Sequence, residues 1–213
     1  MSCAICEKRP PKRYCPAKSD KICAVCCGRE REVTVDCPFD CPHLVAARRY
    51  EAEHRKPLTG DEYPYRDVVV REDFVYERWP AIIVVASAIL SFQAQRRDVS
   101  DSDILLAITA LAETLRTLGT GIYYEKPPDA PIARALYAQI GQFLREFQKN
   151  EAARGGTPPL RDSDAFLLLV FLLRVAKQES SGRSRSRAFL YFLRARFPLP
   201  EEAAKEAPRI IIP

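Results

Sequence analysis

"RYCPAKSDKICAVCCGRE", residues 13–30, sets four cysteines into a basic, turn-rich segment, and two of them, Cys26 and Cys27, are adjacent. Cys3 and Cys6 precede this stretch, Cys37 and Cys41 follow it, and the rest of the chain has no cysteine. A C-x2-C step lets two thiolates reach one ion from a tight turn, the unit from which tetrahedral Zn²⁺ sites are built. Two such steps and a C-x3-C-x-H cluster ending at His43 make metal binding the first expectation. The eight thiols suffice for two closed sites. The interleaved order gives Cys3, Cys6, Cys23 and Cys26 to one Zn²⁺, and Cys15, Cys27, Cys37 and Cys41 to a second, with His43 as the alternative ligand. Neighbouring residues in an extended or turning segment point in different directions, so Cys26 and Cys27 can serve different ions.

Sites filled by sulfur leave no position for a reactive water, which argues against catalytic zinc. A redox C-x-x-C motif belongs at the strand-to-helix turn of a βαβ unit, which this sequence lacks. The thiols also exceed the four that one iron–sulfur cluster needs. The spacing "CAIC…YCPAKSDKICAVCC…CPFDCPH" resembles the small cross-brace zinc fingers of the HIT, MYND and B-box type, over about residues 1–45. The resemblance implies zinc and a role in docking onto a protein partner. Lys18 stands where such fingers commonly carry a fourth ligand, which leaves Cys27 to fill that place.

Beyond the finger the pattern is helical. Residues 42–56 carry helix formers directly after the last thiol and predict a short exit helix, so the finger region is taken as residues 1–56. "PLTGDEYPYRD" follows with two prolines and a glycine and reads as a linker over residues 57–66. The remainder, 67–213, is expected to be an all-α domain of about five helices, which makes the protein mainly α. "DVVV", residues 67–70, favours an extended piece, and a helix broken or started at Pro80 runs to Arg97. A serine N-cap, acids in the first turn and Gly119 beyond the last apolar residue bound a helix over 101–118. Asp129 as cap and Pro131 in the first turn start another, which reaches Ala153 with Leu136, Ile140 and Leu144 on its apolar face. "RDSDAFLLLVFLLRVAKQES" is apolar almost all round and belongs at the centre of the core. "RAFLYFLRARF" is the last helix. The terminal "RIIIP" is expected to pair, through residues 210–212, with residues 68–70.

The totals exclude several functions. The longest apolar run, residues 81–92, falls short of the ~20 residues a membrane span needs. Charges and cysteines near the N-terminus leave no room for a signal peptide, so the expected location is cytoplasmic with reduced thiols. The two histidines, His43 and His54, lie in or beside the finger, and there is neither an activated nucleophile nor a glycine-rich phosphate loop. No small-molecule substrate is evident, and no enzyme is expected. The two "DSD" triplets could hold Mg²⁺ in an all-α hydrolase, but acids at helix starts more simply cap N–H groups and complement the dipole. Arg183, Arg187, Tyr191 and Arg194 would share one helical face, which suits phosphate contact and base stacking. The competing reading is a solvated face over a buried one. A net charge of +5 adds only a weak pull toward anions. The expected function is therefore recognition of a protein partner. Nucleic-acid binding through the basic finger loops and residues 183–196 is the alternative, and the hydrolase is a distant third.

Overall fold

The computed structural model describes residues 2–119, 121, 124–155 and 158–197. Its order is β1 (Arg13–Cys15), β2 (Asp20–Ile22), α1 (Ala24–Glu30), α2 (Pro42–Glu53), α3 (Glu72–Glu77), α4 (Trp79–Gln95), α5 (Asp101–Leu118), α6 (Pro131–Arg154), α7 (Asp162–Glu179) and α8 (Ala188–Arg196). The protein is mainly α, as its sequence predicts. No helix of the described residues is long and apolar enough to cross a membrane.

The first two strands form an antiparallel hairpin in which Tyr14 faces Lys21 and Cys15 faces Asp20. Its turn is closed by Ser19 at φ +51°. Around it lies a small core in which Ile22 and Val35 pack with Cys3, Cys15, Cys23 and Cys26.

The large core belongs to α4 through α8. In α4, Ile82, Val85 and Ile89 face inward; α5 adds Ile104 and Ile108, α6 Leu136 and Ile140, α7 Leu168 and Leu169, and α8 Phe189 and Leu193. Helix α5 packs between α6 and α7, while α4 lies against α6. The near-continuous apolar surface of α7 is explained by neighbours on several sides, α4, α5 and α8.

The helix ends follow local chemistry. Ser100 caps α5 and Asp103 reaches back to the Ser100 N–H at 3.0 Å, a reciprocal capping box. Helix α6 begins with Pro131 in its first turn and stops at Gly155, whose φ of +65° suits a residue without a Cβ. Asp129 does not cap it; Ala130 takes the cap position, and Asp129 instead lies 3.6 Å from Arg134.

Residues 57–66, the expected linker, lie against α7. Gln178 Oε1 accepts from the Leu58 N–H at 3.0 Å, and the Arg174 guanidinium donates to the carbonyls of Pro64, Tyr65 and Val68 at 3.1, 2.7 and 2.7 Å. Residues 68–70 are without regular structure. Their expected partner, 210–212, lies outside the described residues.

Candidate metal centre

Cys3 and Cys6 sit on a tight turn, where Glu7 donates to the Cys3 carbonyl at 2.8 Å and adopts φ +53°. Cys23 caps α1, and the Cys26 N–H donates to its sulfur at 3.4 Å. The Cys23 N–H in turn donates to Cys3 Sγ at 3.1 Å, which ties the two turns together. All four sulfur atoms of Cys3, Cys6, Cys23 and Cys26 fall within 4.8 Å of one another. Cys3, Cys23 and Cys26 are buried. This is the grouping that the interleaved spacing predicts, and it could hold a metal ion.

The electrostatics of the cluster suit a dication. Burial opposes ionisation of Cys3, but the N–H groups of Cys6, Cys23 and Ile5 outweigh it and bring its pKa down to about 6. The N–H of Cys26 favours the Cys23 thiolate over the opposing effect of burial. Cys26 is pushed up to about 12 by burial and by the neighbouring Cys23, Cys6 and Cys3. Four negative sulfurs cannot share this space without a cation among them, and a bound metal ion removes that penalty by direct ligation. The Arg9 guanidinium, held by a hydrogen bond to Cys23, lies beside the cluster and supplies further positive charge.

The other four cysteines, Cys15, Cys27, Cys37 and Cys41, line one small cavity of about 10 Å³ together with His43. Arg13 donates to Cys27 Sγ at 3.5 Å. Among the described residues only the first set brings its sulfur atoms within 4.8 Å of one another. Cys26 and Cys27 do diverge, one into the cluster and the other toward this cavity.

The arginines expected to face nucleic acid lie elsewhere. Helix α8 starts at Ala188, so Arg183 and Arg187 precede it. Arg183 donates to the carbonyls of Gly28 and Arg31 at 3.0 and 2.6 Å, and Arg187 pairs with Asp36 at 2.7 Å. Phe39, set between Cys37 and Cys41, receives the guanidinium groups of Arg48, Arg187 and Arg194 at 5.4, 5.9 and 5.2 Å from its ring centre. Tyr191 covers Arg48 from the other helix at 5.1 Å. The arginine-rich segment thus grips the finger.

Glu32 is the residue that sequence reasoning missed. It lies in the charge-alternating "REREVTVD" yet is only 3% exposed. Its carboxylate accepts from buried Arg48 at 2.7 Å and from the Arg187 N–H at 3.1 Å, while its carbonyl accepts from the Arg185 N–H at 2.9 Å. No periodicity marks it, because part of what buries it is chain more than a hundred residues away.

The acidic helix starts also have protein partners. Asp101 accepts from Ser186 Oγ at 2.6 Å and from the N–H groups of Phe189 and Leu190 at 3.2 and 3.3 Å, so it caps α8 rather than its own helix. Burial raises its pKa against those three hydrogen bonds. Asp164 pairs with Arg78 at 2.8 Å, and Asp162 accepts from Gln148 at 3.1 Å. Among the described residues, no three His, Cys, Asp or Glu ligand atoms outside the first cysteine set converge as a metal site would require. No family model, curated protein or solved structure matches the chain, so the likeness of its finger to the cross-brace type rests on the cysteines alone.

Proposed function

We propose that the chain is a non-catalytic recognition protein of the cytoplasm, stabilised by two Zn²⁺ ions and binding a protein partner. The observation that carries this reading is the inward commitment of the finger's reactive groups. Cys3, Cys6, Cys23 and Cys26 turn on one another, and Glu32, Asp36 and Phe39 turn on the helices. A closed sulfur site supplies rigidity rather than reactivity. The second ion is assigned to Cys15, Cys27, Cys37 and Cys41, with His43 at hand as a substitute. Among the large apolar side chains the finger leaves at its surface are Tyr14, Val25 and Val33, respectively 57%, 46% and 39% exposed. Aromatic and aliphatic side chains on a rigid support are what the buried centre of a protein interface uses.

The nucleic-acid reading loses support because Arg183, Arg187, Tyr191 and Arg194 are engaged with the finger. The hydrolase reading loses it because the helix-start acids serve as caps and ion-pair partners. The test is affinity purification of the wild type beside a Tyr14→Asp, Val25→Asp variant, with mass spectrometry and metal analysis of both. The proposal expects two zinc ions per chain in each, and a companion protein that the variant loses and nuclease leaves in place. Loss of the companion on nuclease treatment or in high salt would point to nucleic acid instead.

A further inference from the structure

Aromatic and aliphatic side chains that the core does not absorb gather along α7. Tyr63, Val70, Val75, Tyr76, Trp79 and Phe171 line a groove of about 780 Å³. Tyr76 is 71% exposed, Trp79 44% and the adjoining Val69 78%. Exposed apolar surface gathered in this way marks an interaction site. Arg174 reaches the groove, but its guanidinium is committed to three carbonyls and to the ring of Tyr63, 4.4 Å away. Among the described residues nothing covers this surface.

Four observations point to its occupant. Phe197, the last described residue, lies against Trp79 with ring centroids 5.5 Å apart, so the chain that follows departs from the rim of the groove. The span from Phe197 to Ile210 reaches up to ~45 Å when extended, ample to run along it. That following sequence, "PLPEEAAKEAPRIIIP", carries three isoleucines preceded by Arg209, and the groove carries Glu72, which has no cationic partner among the described residues. The backbone of Val69 and Val70 makes no hydrogen bond among the described residues, whereas both polar groups of Val68 are taken, by Tyr65 and Arg174.

We propose that this groove is the dock of the chain's own C-terminal segment. Ile210 and Ile212 enter the apolar floor, Arg209 meets Glu72, and the main chain pairs with Val69 and Val70, because Val68 is already committed. The inference does not rest on the recognition function and stands or falls without it.

Trp79 is the only tryptophan in the chain, so its fluorescence reports on the groove directly. An Ile210→Asp, Ile212→Asp variant should red-shift the Trp79 emission and raise its quenching by acrylamide, and a synthetic peptide of residues 198–213 added in trans should reverse both. Glu72→Lys should act in the same direction, and combining it with Arg209→Glu should restore the protection. Equal quenching in wild type and isoleucine variant would overturn the proposal. So would protection that grows with protein concentration, since the occupant would then be a second copy.

Discussion

Four of the six side chains buried together in the finger are thiols, Cys3, Cys15, Cys23 and Cys26, with only Ile22 and Val35 beside them. The core spanning α4 to α8 contains no thiol, and its largest buried side chains are leucines, isoleucines and Phe189. A small segment cannot bury enough apolar surface to offset the entropy of ordering its chain, so the cysteine cluster is where an ion could supply the cohesion that the helices draw from each other. The boundary between the two kinds of cohesion is bridged by charge, through Glu32, Arg48, Arg183 and Arg187.

Metal removal should divide the two regions most sharply. Structural zinc contributes on the order of 10 kcal/mol to small finger folds. Chelation should therefore bring fast amide exchange to Ile22 and Cys27, and to Arg187, whose N–H depends on Glu32, while Ile108 and Leu169 stay protected. Uniform exchange across both regions would mean that the helices have no independent cohesion, and the contrast would fail.

The bridge itself comes next. Glu32→Ala leaves the Arg48 guanidinium buried with no counter-charge, a loss of about 3–5 kcal/mol. In a chain of this size that lowers the melting temperature by roughly 10 °C. Glu32→Gln should cost less, because an amide oxygen still accepts from the Arg187 N–H. A melting curve untouched by Glu32→Ala would show the two regions to be merely adjacent.

Leu169→Ala probes the other side. A fully buried leucine in α7 should cost about 2–5 kcal/mol on truncation, through lost transfer energy and the cavity left behind. Zinc content should stay that of the wild type. A variant that also loses metal would show that the helical core props up the thiols from a distance. The smallest effect belongs to Ser100→Ala, which removes one half of a capping box and should cost about 1 kcal/mol. Its signature is faster exchange confined to the first turn of α5.

Much of this architecture is legible in local sequence. The bounds of α5 follow from Ser100, its acids and its periodicity, and the start of α6 from Pro131, because caps and prolines act on their immediate neighbours. The first cysteine set is legible for the same reason, since each C-x2-C step closes within one turn. What sequence could not convey is where distant backbone carbonyls lie. Arg183 reads as a cation awaiting phosphate, yet its acceptors are the Gly28 and Arg31 carbonyls, which no composition reveals. Asp101 misleads in a subtler way. An acid at a helix start is a cap, but the helix it caps belongs to a different part of the chain.

The contact between the Arg187 N–H and Glu32 spans 155 positions in the chain. Synthesis proceeds from the N-terminus at roughly 5–20 residues per second, so about 8–30 s elapse between the appearance of the acid and that of its partner. Arg48 emerges within a few seconds and can neutralise the carboxylate meanwhile. Phe39, whose other arginine neighbours are Arg187 and Arg194, waits about as long as Glu32 does for Arg187. A nascent chain therefore carries a finger whose aromatic face has only Arg48 over it until α8 emerges to complete its cover.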